Sequence, residues 1–202
     1  MENDIDILVI DNFLPEAYFY FLKEKVITSG LFPWYYNENI TGNTGDPLDR
    51  PTMYSYGFSH MVAMDSKIYS PEIHHCLYGV YGKILEQTNS KNIDRVRFEM
   101  TTHSHEKKIH FPHIDLDYKH IASVFYMTDS ESETVIYDHK VPSYGAVNFG
   151  ELYSPEEYYG FPIKKLVKPK ENRILIFEGS YLHTSYPPTE EKSRVILNIN
   201  VT

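Results

Sequence analysis

Cysteine is nearly absent: Cys76 stands alone in 202 residues, which excludes an internal disulfide framework and suits a reducing cytoplasm. Basic residues are the minority, 19 against 28 acidic for a net charge of −9, and only five of them are arginine. No basic patch able to neutralise a row of phosphates is visible, so nucleic acid is disfavoured as the main partner. No apolar run approaches the ~20 residues of a membrane span. Met1 to Asp6 lacks the positive and apolar regions of a secretory leader, so neither export nor membrane residence is expected. Repeats, linkers and low-complexity blocks are missing too, which points to one domain over residues 1–202.

What is present in excess is aromatic and imidazole. There are 18 Tyr and 11 Phe, which suit strands and pocket walls, and 10 His, which raise the prior for a metal. Residues 1–91 read as a helical layer with an aromatic loop. Ile5 to Ile10 is a short strand; Pro15 to Ser29 is a helix with Tyr18, Leu22 and Val26 on one face, stopped at Gly30; Pro71 to Thr88 is a second helix. Between them, residues 31–60 carry aromatics around a polar Gly/Asn/Asp/Pro centre and read as a long functional loop. Residues 92–202 change to strands: Arg95 to Met100, His120 to Met127, Glu133 to Asp138, Tyr144 to Phe149, Ile163 to Val167, Ile174 to Phe177 and Val195 to Val201. Six or more short strands at this spacing predict a sandwich or barrel.

His113 and Asp115 sit two apart, so on extended backbone an imidazole and a carboxylate face one side and can meet one cation. With 10 His in the chain such a pair is weak evidence by itself. Further on, a core strand at Ile174 reaches Gly179-Ser180 and a single His183, and Arg194 opens a final strand. That strand alternates Val195, Leu197, Ile199 and Val201 on one face with Arg194, Ile196, Asn198 and Asn200 on the other. Two imidazoles and one carboxylate form a facial triad that leaves positions open on a metal and favours non-haem Fe(II). An arginine nearby offers a planar fork for the carboxylate of a dicarboxylate cosubstrate.

With these residues in place, the chain resembles the 2-oxoglutarate- and Fe(II)-dependent dioxygenases, most closely their prolyl-hydroxylase-like members of bacterial and phage type. The matching landmarks are His113-Ile-Asp115, Ser123 to Thr128, Glu133 to Tyr137, Pro169 to Phe177, His183 and Arg194. The resemblance implies a mainly β fold with flanking helices, a double-stranded β-helix (jelly roll) core packed by N-terminal helices. It implies His113, Asp115 and His183 as iron ligands, and Arg194 as partner of the distal carboxylate of 2-oxoglutarate. Tyr126 is placed by it against the same carboxylate, and His103 and Asn198 as further cosubstrate contacts. The implied chemistry consumes O₂, with ascorbate as an accessory reductant, and hydroxylates a C–H bond of a peptidyl residue (prolyl-type) or a small molecule, in the cytoplasm of a bacterial or phage-infected host cell. The turn Asp129 to Glu133 lacks the family's glycines, and Val141 to Pro162 is longer and more aromatic than simple members need, as a substrate wall or lid would be.

Other readings stay open. His103, His105 and His110 form a second histidine cluster in what reads as a solvated loop. His74 and His75 point about 100° apart on a helix and are ill placed to share a metal. Glu131 and Glu133 read as a charged turn, and Arg97 as either a second anion-binding group or a surface residue. A cupin-type metal enzyme without 2-oxoglutarate and a non-catalytic jelly-roll binding module are the rival functions.

Overall fold

The computed structural model describes residues 5–38, 40, 56–107, 109–141 and 160–202. Eleven strands and three α-helices appear in them: β1 (Ile7–Ile10), α1 (Glu16–Lys23), β2 (Tyr35–Asn37), β3 (Gly57–Met64), β4 (Lys67–Ile68), α2 (Pro71–Cys76), α3 (Tyr78–Thr88), β5 (Ile93–Thr102), β6 (Ile121–Tyr126), β7 (Thr134–Lys140), β8 (Ile163–Val167), β9 (Arg173–Glu178), β10 (Tyr181–Ser185) and β11 (Ser193–Val201). The large sheet runs β1-β9-β6-β11-β5-β3-β2, with β4 at the side of β3, and the small sheet runs β10-β7-β8. Every named pairing is antiparallel.

The path of the chain gives the fold its class. From β5 in the large sheet it crosses to a bridge at His113 beside β10, returns as β6, and crosses again for β7 and β8. It then comes back as β9, crosses as β10 and ends as β11. This alternation winds two facing sheets into a double-stranded β-helix, in agreement with the expected jelly-roll core.

Side-chain alternation divides the core into layers. On β11, Val195, Leu197, Ile199 and Val201 face the helices, packing with Phe13, Phe19, Leu22, Val80 and Ile84. Ile196 faces inward with Tyr126, Ile136, Phe177 and Tyr181, so residues of both sheets meet there. The polar positions of that inward face are Arg194, Asn198 and Asn200, all buried.

Several expectations shift. The first helix is α-helical only to Lys23 and widens to a π-turn over Glu24–Thr28, closed by Ser29 N–H donating to the Glu24 carbonyl at 2.9 Å. The second is broken at Leu77 (φ −95°, ψ −1°) into α2 and α3, and α3 ends at Asn89 in the left-handed region. The expected loop at 31–60 contains the short strand β2 and runs into the first four residues of the eight-residue strand β3, which pairs with β5. The expected strand Tyr144 to Phe149 and most of Val141 to Pro162 lie outside the described residues, as does the polar centre of the 31–60 segment. No described helix is long and apolar enough to cross a membrane.

Asn172 ties the helical layer to the barrel. Its side chain accepts from Leu14 N–H and donates to the Leu14 carbonyl, each at 2.8 Å, while its backbone carbonyl accepts from Phe13. Its φ of 60° is a conformation that Asn tolerates better than most residues. Gly179 is demanded by space instead, because a Cβ there would strike the His120 ring. Replacing Asn172 with Ala removes two buried hydrogen bonds and adds backbone strain, so urea unfolding is expected to show a loss of about 2–4 kcal/mol. Asn172→Gly is expected to recover only the part due to strain.

Candidate metal centre

Asp115 follows His113 in the segment between β5 and β6, and His183 is the middle residue of β10. They meet because His113 and His183 form a β-bridge, each N–H donating to the other's carbonyl at 3.0 Å. Bridge partners share a face, and the two rings lie with centroids 4.6 Å apart. His183 Nε2 is 3.9 Å from Asp115 Oδ2, and one ligand atom from each of the three residues lies within 4.8 Å of the others. The Nδ1 atoms of His113 and His183 are each 3.2 Å from the carbonyl two residues before, Phe111 and Tyr181. A carbonyl only accepts, so Nδ1 carries the proton and the Nε2 lone pair is left for a cation.

Asp115 is held in a buried cradle. Arg95 pairs with Oδ1 and donates through Nη1 to the Asp115 carbonyl at 3.0 Å; Asn198 and Asn200 donate to Oδ2 at 3.0 and 2.9 Å. Arg95 also donates to Asn198 Oδ1 at 3.1 Å, so the two residues brace each other. Burial opposes ionisation of Asp115, but Arg95, the two imidazoles and Asn200 outweigh it and hold the carboxyl well below its ordinary range. His183 is pushed down to about 4 by burial and then by His113, against the pull of Asp115. A neutral imidazole is the form that binds metal.

The second end of the site is Arg194. It is buried, with Nη2 donating to Thr134 Oγ1 at 2.6 Å and Nε lacking a partner among the described residues. Tyr126 OH donates to the same Thr134 oxygen at 2.8 Å, and the Arg194 Cζ lies 5.7 Å from the Tyr126 ring centroid. Thr134 thus accepts twice, and its own hydroxyl proton is left to donate elsewhere. His110, on the segment leading to His113, is buried and pushed down to about 4 by burial, then Arg194, then His113. It lies within electrostatic reach of both ends of the site.

The sequence-derived residues therefore divide. His113, Asp115 and His183 converge, and Arg194 and Tyr126 lie together on the same inward face. Asn198 is on that face as well, but its amide is committed to Asp115 and Arg95 and not to a cosubstrate. His103 stands apart: it is exposed at the end of β5, its Nδ1 3.3 Å from the Glu191 carbonyl and its ring against His105, which removes it from the pocket. Arg97 faces inward beside Asn198 and donates from Nε to Glu99 at 2.7 Å, so its charge is already paired. Glu131 accepts from the Thr189 and Glu190 N–H groups, the work of a loop clasp. Sequence reasoning misses Arg95, Asn200 and Thr134; the signal for Arg95 is its alternation with Val96 and Phe98 on a strand running beside Asn200.

No family model matches the chain, and no curated protein sequence matches it. Solved structures do. The fold is similar to SnoN, a non-haem α-ketoglutarate-dependent epimerase from nogalamycin biosynthesis (TM-score 0.66, 9% identity, 98% of this chain and 79% of that one). It is similar to the viral collagen prolyl hydroxylase of Paramecium bursaria Chlorella virus-1, solved with 2-oxoglutarate (TM-score 0.54, 14% identity, 100% and 98%). It is also similar to HygX from Streptomyces hygroscopicus, solved with nickel and 2-oxoglutarate (TM-score 0.61, 11% identity, 98% and 83%). At these identities the likeness establishes the fold: the jelly roll of the 2-oxoglutarate oxygenases.

Two outcomes are expected of this site. Arg95→Met leaves Asp115 buried without its counter-charge, so calorimetric unfolding is expected to show a loss of about 3–5 kcal/mol. The neutral His183 and His110 refuse protons that their unfolded forms take up near pH 6.5. Their contribution to stability is complete above that pH and falls as pH drops toward 4, where Asp115, depressed in the fold, begins to add to the loss as its unfolded form takes up a proton. Melting temperatures of metal-free protein should fall through that window, and less steeply in His110→Phe.

Proposed function

We propose that this protein is a 2-oxoglutarate- and Fe(II)-dependent dioxygenase. The observation that carries the reading is the convergence of His113, Asp115 and His183 on one point, with the buried, half-satisfied guanidinium of Arg194 on the same inward face. The donor set fits the metal: two imidazoles with Nδ1 turned to backbone carbonyls and one ionised carboxylate suit a ferrous ion and leave coordination positions open. When bound, the metal and cosubstrate supply the oxidative decarboxylation of 2-oxoglutarate to succinate and CO₂, coupled to oxidation of a substrate C–H bond.

The chain's own residues do the rest. Arg95, Asn198 and Asn200 fix the carboxylate of Asp115, and the Phe111 and Tyr181 carbonyls fix the imidazole tautomers. Arg194 and Asn198 are four residues apart on one face of β11, about 13 Å of strand. The length of the arginine side chain reduces that to the reach of a small dicarboxylate. Arg194 receives the distal carboxylate with a charge that cannot be titrated away, and Thr134 adds its hydroxyl proton. Tyr126 supports both through Thr134 and closes the apolar wall with Ile196 and Ile136. A cupin-type enzyme or a binding module would have no use for a buried arginine with an unfilled donor, and this favours the oxygenase. We place the substrate among peptidyl residues, prolyl-type included, or small molecules, and the protein in a bacterial or phage-infected cytoplasm, with ascorbate as an accessory reductant. Of the proteins of similar fold, one is a viral collagen prolyl hydroxylase and another an epimerase of nogalamycin biosynthesis, which supports keeping both substrate classes in the proposal.

The test is an anaerobic Fe(II) titration with and without 2-oxoglutarate. A weak visible charge-transfer band is expected only with both present, and its absence overturns the reading. Arg194→Ala is expected to raise the 2-oxoglutarate concentration needed for half-saturation by at least tenfold, the loss of a charge-assisted pair, while Fe(II) still binds.

A further inference from the structure

We propose that His110 is a direct hydrogen-bonding contact for the 2-oxo dicarboxylate, between the metal ligands and Arg194; this rests on the functional reading above. His110 is 6% exposed, and its Nε2 has no hydrogen-bond partner among the described residues. Its backbone is fixed on both sides. The His110 N–H donates to the Ser185 carbonyl at 3.0 Å, and its carbonyl accepts from Thr184 Oγ1 at 2.8 Å. Ser185 lies in register opposite Thr134, which holds Arg194, and His113 follows three residues later and bridges to His183.

The residue is thus bracketed along β10, by the rung opposite Thr134 on one side and by the His113–His183 bridge on the other. A polar atom buried without a partner is costly, and a position with only packing to do is better filled by an apolar ring. Phe111, the next residue, packs in the apolar cluster of the small sheet, so the segment accommodates such a ring. An imidazole N–H facing an oxo acid would find in it the acceptor that the protein withholds. His60, another buried imidazole with an unpartnered Nε2, has a different setting: its Nδ1 is 2.8 Å from the Pro33 carbonyl and its ring packs on Phe32. Unlike His60, His110 sits on the segment that runs along β10, between its contact with Ser185 and the His113–His183 bridge.

The experiment is calorimetric titration of 2-oxoglutarate into Ni(II)-loaded protein, comparing wild type, His110→Phe and His110→Gln. The Phe variant is expected to bind the oxo acid more weakly, on the order of tenfold for one hydrogen bond to a charged ligand. The Gln variant, which keeps a donor, is expected to recover part of this. Ni(II) affinity should be unchanged and thermal stability not lowered. Equal 2-oxoglutarate affinity in wild type and His110→Phe overturns the proposal. So does a parallel loss of Ni(II) affinity, which would make His110 a support for the triad. Should His110→Phe fail to fold, His110→Asn, polar but shorter, carries the same comparison. Wild type that binds Ni(II) but not 2-oxoglutarate overturns the functional reading itself, which keeps the two failures distinguishable.

Discussion

A buried carboxylate is the constraint on which the rest of this molecule turns. Asp115 lies in a segment with no regular strand of its own, and it stays ionised inside the barrel only because three donor groups from two neighbouring strands meet its carboxylate oxygens. Arg95 comes from β5, Asn198 and Asn200 from β11, and the three are brought together by the register that sets Asn198 against Arg97 and Asn200 against Arg95. The desolvation of one charge is offset by the desolvation of another, with amide dipoles filling the remaining lone pairs. Lose the register by one residue and every member of this set points at the helices instead.

The two faces of β11 show how one strand serves both stability and chemistry. One face is aliphatic and presses against α1 and α3; the other is polar and carries Arg194, Asn198 and Asn200 into the interior. Because side-chain direction alternates strictly, the polar groups need no loop to position them. A site built on a paired strand has less freedom than one built on a loop, which suits ligands that must be held to within fractions of an ångström.

Much of this is legible in the order of the amino acids alone. The alternation of Val195 to Val201 yields both faces of β11, and the i, i+2 spacing of His113 and Asp115 yields a shared side. What stays hidden is long-range. β10 reads as a turn followed by a lone histidine because its strand character depends on pairing with β7. β3 reads as loop because Gly57 to Met64 has a single β-branched residue and is held by β5. His103 is singled out by the resemblance, and His110 reads as one of a histidine cluster in a solvated loop. Burial, which decides between them, depends on where β10 lies and is not a property of local sequence. Arg95 is hidden for a related reason: an arginine on a strand reads as surface until its partner across the sheet is known.

The reciprocal bridge between His113 and His183 has one more consequence. The separation of the two imidazoles is inherited from the spacing of a ladder rung, not from the length or conformation of the chain between them. Connections on either side, such as 103–107 and 186–192, are therefore free to lengthen, shorten or change character without altering the bite offered to a cation. In such a scaffold, novelty can accumulate in the rim while the centre keeps its dimensions.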